Sequence, residues 1–276
     1  MHKSFVCDRQ GKCAATPNRA RVKWHDPCQS REAPAFCDFS QSRSSFETSP
    51  NPQRGEVSKM ASDCKRRGGA RNLASRESHG LKAAHIANLI AATAHADAIG
   101  LPFTRMVTIH WEAAGLPLVD MAKATGRYTD LMAKALARHG CGAAWLWTHE
   151  NGDGKGGHCH MLAHVPAELV PVLTGLQRGW LRRITGKPYR ARVIHSKPIG
   201  GRLGLEERNP DLHGTNLAEI LGYVLKGACA EAASRFGLAR LEPGGHVIGK
   251  RCATSQNIGA KARMAKRRQN QFRATA

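Results

Sequence analysis

Two histidines flank a single residue at His158-Cys159-His160, between a glycine-rich turn and an apolar run. In an extended strand successive side chains point to opposite faces, so His158 and His160 project together and Cys159 projects away. Two imidazoles side by side on a rigid strand make half of a metal site. The preceding residues, Trp145-Leu-Trp-Thr-His-Glu150, are β-rich, and Asn151-Gly-Asp-Gly-Lys-Gly-Gly157 supplies the glycines of a tight reversal. Symmetric closure of that loop sets Glu150 opposite His158 and Thr148 opposite His160. One face then carries Glu150, His158 and His160, a two-histidine, one-carboxylate set suited to Mn2+ or Mg2+ with water completing the shell. Trp145 and Trp147 fall on the other face with Cys159 and Met161. His149 is the rival ligand, because a slip of one residue exchanges it with Glu150. The plainer alternative is a pair of ordinary histidines on a strand.

A second chemical feature lies downstream. Apolar residues recur at helical spacing at Leu217, Ile220, Leu221, Val224 and Leu225. Thr215 or Asn216 can cap this helix, and Glu219 falls in its first turn. Tyr223 and Lys226 are three apart, so both lie on one side. Taken alone, such a pair is equally a rim tyrosine beside a solvated lysine. Competing motifs fail. His149-Glu150 lacks the second histidine of a zinc-protease helix, since position 153 is Asp. The loop at 151–156 resembles a calcium loop, but its twelfth position is Leu162 rather than Glu.

In order and spacing these features resemble the HUH endonuclease superfamily, and within it the single-tyrosine Rep-type initiators of rolling-circle replication. That family has a first strand motif ending in Thr, a His-hydrophobic-His strand, and a helix bearing Tyr-x-x-Lys. The corresponding residues are Phe103-Thr-Arg-Met-Val-Thr-Ile-His110, His158-Cys159-His160 and Tyr223-Val-Leu-Lys226. Cys159 stands at the hydrophobic position, where a free cysteine behaves as a small hydrophobe. The resemblance covers roughly residues 100–230. It implies a ferredoxin- or RRM-like HUH fold. It implies a metal held by Glu150, His158 and His160, with Tyr223 as nucleophile and Lys226 stabilising charge on the phosphate or the phenolate. The substrate implied is single-stranded DNA at a replication origin, and the product a 5′-phosphotyrosine and a free 3′-hydroxyl. A host helicase would unwind the duplex, because the chain has no Gly-Lys-Ser/Thr phosphate loop. Relaxases place the tyrosine ahead of the histidine motif; here it follows, which favours a Rep initiator or a single-tyrosine transposase. Two other classes stay open: a catalytically silent DNA-binding relative, and a nuclease using metal-activated water.

The elements around these residues read as α+β, an antiparallel sheet backed by helices. Residues 103–111 alternate as a strand. Residues 78–99, 118–139 and 167–184 read as amphipathic helices, and 189–199 as a strand with Ala191, Val193 and His195 on one face. The domains expected are a disordered polar leader at 1–77, an endonuclease domain at 78–230 and a basic tail at 231–276.

The net charge of +21 favours a polyanionic partner. Residues 249–276 carry Lys250, Arg251, Lys261, Arg263, Lys266, Arg267, Arg268 and Arg273 without one Asp or Glu. This stretch is a candidate DNA-binding segment, either a helix lying on phosphates or a disordered basic arm. The leader is too polar to bury a core. Its Cys7, Cys13, Cys28 and Cys37, with His25, lack any Cys-x₂-Cys pair, which argues against zinc. Met60 is an alternative start of translation. Nine cysteines without regular spacing fit reduced thiols in a cytoplasm, and no apolar run suggests a membrane span.

Overall fold

The structure is a computed structural model and describes residues 75–275. In chain order, strand β1 (Glu77–Ser78) precedes helix α1 (Ala83–Ala98) and strand β2 (Arg105–His110). Helix α2 (Met121–Ala137) leads to the hairpin β3 (Trp145–Gly152) and β4 (Gly156–Ala163). Helix α3 (Val170–Thr185) and strand β5 (Ile194–Pro198) follow, then α4 (Leu205–Arg208), α5 (Pro210–Val224) and α6 (Ala230–Arg235). The chain continues through β6 (Val247–Ile248), β7 (Cys252–Thr254) and α7 (Ala260–Thr275). The main sheet has the order β5-β2-β4-β3-β7, with every neighbouring pair antiparallel. β1 and β6 make a separate antiparallel ribbon. The expected class, α+β with an antiparallel sheet and helices, is what the chain adopts.

Period-two alternation sorts the sheet residues onto two faces. On one, Val107, Ile109, Trp147, Cys159 and Met161 pack under α2 and α3, against Tyr128, Met132, Leu173 and Trp180. On the other, Leu146 and Leu162 pack under α1, α5 and α6, against Leu89, Leu217, Leu221 and Ala232. Each large apolar side chain buried this way contributes about 1.5–3 kcal/mol. Along this second face the composition changes. Beyond Leu146 and Leu162 come Thr108, His160 and Thr148 in register, then His110, His158 and Glu150. Helices over the apolar half therefore hold the polar half rigid.

Several boundaries differ from expectation. Helix α5 starts at Pro210, ahead of Thr215. Asn209 caps it by accepting from the Leu212 N–H at 3.0 Å, and Pro210 supplies a first turn that needs no donor. Thr215 and Asn216 instead donate to carbonyls one turn back. The stretch 78–99 divides into β1 and α1. The strand expected over 189–199 shrinks to β5. Arg192, at φ 64°, turns the chain just before it, so Val193 enters the core while His195 stays exposed.

The tail expected at 231–276 is largely part of the fold. α6 packs on α1, β6 pairs with β1, and β7 is an edge strand beside β3. β1 begins at Glu77, so the 77/78 boundary cuts a strand. The rest of the leader, with its cysteines, His25 and Met60, lies outside the described residues. Among the described residues no helix is long and apolar enough to cross a membrane.

Candidate metal centre and tyrosine cleft

The hairpin places Glu150 opposite His158 and Thr148 opposite His160, the register expected from the loop. Glu150, His158 and His160 are 2%, 2% and 3% exposed. His158 Nδ1 meets the Gly156 carbonyl at 2.8 Å, and His160 Nδ1 meets Thr108 Oγ1 at 3.1 Å. The Gly156 carbonyl can only accept, so it fixes the His158 proton on Nδ1, and the Thr108 hydroxyl is able to accept the same proton from His160; in that tautomer both Nε2 lone pairs are open to a cation. Both Nε2 atoms then face Glu150 Oε2, each at 3.4 Å. One ligand atom from each residue falls within 4.8 Å of the others. Glu150 Oε1 and His160 Nε2 have no hydrogen-bond partner although buried. Leaving such a group unsatisfied costs about 1–3 kcal/mol. Two lone-pair imidazoles, a carboxylate and two orphaned atoms fit a divalent cation.

His149 is excluded as a ligand. It points to the opposite face, where Nδ1 donates to the Lys250 carbonyl and Nε2 accepts from Thr125, both at 2.8 Å. Its ring stacks on Trp147 with centroids 4.2 Å apart. Burial pushes its pKa down to about 3.

Tyr223 arrives at the site on the last turn of α5. Its ring stands edge-on to His160 with centroids 4.9 Å apart. The Arg240 guanidinium covers that ring at 4.9 Å, and Lys226 Nζ lies 5.2 Å from its centroid. Lys226 is not on the helix, which ends at Val224. It is 4% exposed, and its ammonium is ion-paired with Glu150 Oε2 and, at 2.9 Å, with Glu242 Oε2. Burial works against that charge, but the two carboxylates outweigh it and hold Lys226 above the ordinary lysine pKa. Burial likewise acts to raise the Glu150 carboxyl, but where no cation takes the imidazole lone pairs, N–H donation from His158 and His160, joined by Lys226, outweighs it and holds the carboxyl well below the carboxylate range. Gly245 fastens the segment bearing Arg240 and Glu242. At φ 65° it lies so close to the Asn151 carbonyl that a Cβ would overlap it.

Tyr223, His158 and His160 open on a cleft of about 340 Å³, lined also by Thr108, His110, His195, Lys155 and Lys197. Family models, curated proteins and solved structures were compared with the chain, and none matches. The chemistry of the site itself therefore carries the functional reading.

Four cleft residues, His110, Lys155, His195 and Lys197, have no role assigned from the sequence, although His110 closes the first strand motif and Lys155 lies in the glycine loop. His110 stacks on His158 at 5.5 Å, and His195 meets His110 edge-on at 5.8 Å. Burial first, then the neighbouring histidines, lower His110 to about 4, so it is neutral at pH 7. The alternation of Met106, Thr108 and His110 carries the signal, since it puts His110 on the face of Thr108. Lys155 sits in the hairpin loop, and Lys197 lies on the edge strand, where only pairing with β2 reveals it.

The basic residues divide. Arg251 is corrected as a DNA contact: it is 3% exposed, and its guanidinium donates to Ser78 and to the carbonyls of Gly244 and Gly245. It clamps β1 to the segment before β6. Arg263 is half-buried and ties α7 to α1 through Asn88 Oδ1 at 2.7 Å. Lys250, Lys261, Lys266, Arg267 and Arg268 are exposed, the last four on α7.

Proposed function

We propose that the chain is a metal-dependent nicking-closing endonuclease of the HUH type, initiating rolling-circle replication through a tyrosine nucleophile. The observation that carries this reading is Tyr223, whose ring centroid lies 4.9 Å from that of His160, sharing one cleft with the two histidines. The antiparallel sheet with helices on both faces is compatible with the ferredoxin- or RRM-like arrangement of that superfamily.

Glu150, His158 and His160 would hold the cation, Mn2+ or Mg2+, and when bound it neutralises a phosphodiester and orients it for in-line displacement. The Tyr223 hydroxyl loses its proton and attacks phosphorus. The bond from phosphorus to the 3′ oxygen breaks, that oxygen takes up a proton, and the 5′ phosphate stays on Tyr223. The reverse reaction rejoins the strand. Lys226 orients Glu150, and its ammonium beside the tyrosine ring lowers the cost of a phenolate. The substrate is single-stranded DNA at an origin, exposed by a host helicase in a cytoplasm. The same chemistry serves a single-tyrosine transposase.

Incubation with single-stranded DNA and Mn2+, followed by a denaturing gel, tests this. A covalent protein–DNA band is expected, absent in Tyr223→Phe, and slower to form but present in Lys226→Ala. Cleavage by Tyr223→Phe with no adduct would point to activated water instead. DNA binding with neither cleavage nor adduct would point to a silent relative.

A further inference from the structure

A strand cut at Tyr223 must also be gripped beside the cut. The C-terminal segment is the grip that composition suggests, but Arg251 and Arg263 are occupied within the fold. A second basic surface adjoins the cleft directly. Residues 178–202 contain eight Lys or Arg and no Asp or Glu. Arg182, Arg183, Lys187, Arg190, Arg192 and Lys197 are all exposed. Among the described residues no carboxylate pairs with any of them. They occupy the last turn of α3, the loop after it, and the edge strand β5.

Three hydrogen bonds fix this loop beside the metal end of the cleft. Lys187 Nζ donates to the Gly115 carbonyl at 2.5 Å, and Arg190 to that of Ala113 at 3.2 Å, both just past β2. The His110 N–H donates to the Val193 carbonyl at 2.8 Å. The loop thus lies next to His110, whose ring stacks on His158. At the far end of β5, Lys197 lines the cleft itself. A cationic border therefore runs from the metal residues along the edge of the sheet.

Arg192 adds a separate observation. It is the one described non-glycine residue with positive φ, at 64°. A side chain in that conformation is strained, because its Cβ crowds the following carbonyl oxygen. Glycine would make the same turn at lower cost, yet a guanidinium stands there, exposed and, among the described residues, without an ion pair.

We propose that the α3–β5 border is the seat of the single-stranded DNA flank entering the Tyr223 cleft, with phosphates on Arg182, Arg183, Arg190, Arg192 and Lys197. This rests on the nicking reading for the identity of the strand. The cleft, at about 340 Å³, is near the lower end of ordinary ligand sites and suits one nucleotide rather than a duplex.

The test is a salt titration of binding to labelled oligo-dT, using the whole chain in chelator so that no cleavage intervenes. The variant is Arg182→Ser with Arg183→Ser and Arg192→Gly. Glycine fits the backbone at 192, so Arg192→Gly alone should keep or raise the melting temperature and serves as the fold-safe variant. The slope of log affinity against log salt should flatten by about 0.7 for each phosphate no longer neutralised, about 2 for the triple variant. An unchanged slope overturns the proposal. So does a slope that responds only when Lys261, Lys266, Arg267 and Arg268 are neutralised, which moves the grip to α7. An equal loss on duplex DNA overturns the single-strand assignment. Failure of the nicking reading is distinct: the slope flattens as expected, but the wild type forms no adduct with Mn2+.

Discussion

His149 and Glu150 are adjacent, both are buried, and they have opposite fates. His149 faces α2, and both its nitrogens are satisfied, by Lys250 and by Thr125, which in turn accepts from Trp111. Glu150 faces the cleft, with one oxygen crowded by two imidazoles and an ammonium and the other without a partner. The two sides of one hairpin thus separate structural polarity from ligand-binding polarity. Closed hydrogen bonding rigidifies a core, whereas convergent and incomplete hydrogen bonding marks a place for something else.

The sharpest way to break this contrast is on the cleft side. His160→Ala should lower nicking and Mn2+ affinity by orders of magnitude, because too few protein ligands remain. Mn2+ should raise the melting temperature of the wild type and leave that of His160→Ala unmoved. An equal thermal shift in both would dissolve the distinction.

On the core side the effect should move from chemistry to stability. His149→Ala should cost about 2–4 kcal/mol in urea unfolding, since it opens a cavity and orphans Thr125 and the Lys250 carbonyl. Nicking per folded molecule should stay within a few fold. Loss of nicking without loss of stability would mean that the two faces are not separate.

Acid should distinguish the sides next. The His149 pKa falls from 6.5 when unfolded to about 3 when folded, so the unfolded chain takes up the proton first. Its contribution is whole above pH 6.5 and declines as pH falls toward 3. Urea midpoints should therefore drop between pH 6.5 and about 4, and less so in His149→Gln. Identical profiles would show that His149 is not the group responsible. The smallest effect belongs to Cys159→Val. It faces the core between the two histidines, so it should cost less than about 1.5 kcal/mol and leave Mn2+ binding unchanged by calorimetry.

The features legible in the sequence are local ones. Period two and the length of the glycine loop are enough for the register of Glu150, His158 and His160. Helices α1, α2, α3 and α5 follow from their apolar spacing, whereas α4 and α6 are too short to show it. What escapes depends on partners far along the chain. Lys226 reads as a helper on a helix face, but its carboxylates come from β3 and from the segment before β6. β6 and β7 have two and three residues, too few to show a period. Arg251 looks like part of a basic tail until Ser78 and Gly244 close around it. Thr215 and Asn216 read as the cap of the tyrosine helix, yet α5 starts earlier because Asn209 and Pro210 provide a stronger start.

The pairing of β1 with β6 has a consequence in time. Glu77 meets Ile248, so nearly all the described chain lies between the strands of that ribbon. The β3–β4 hairpin joins neighbours across a short loop. Closing a long chain segment costs more entropy than closing a short one, and distant pairings form late. The histidine pair is therefore expected to assemble early, with the clamp of Arg251 and the Glu242 partner of Lys226 arriving last. Pulse-labelled hydrogen exchange should protect the amides of Thr148 and His160, which face each other across the hairpin, before that of Gly249, which bonds to Arg76. A ribosome-bound chain ending before Glu242 would hold the histidine pair and Glu150 in register while still lacking the second carboxylate that secures Lys226.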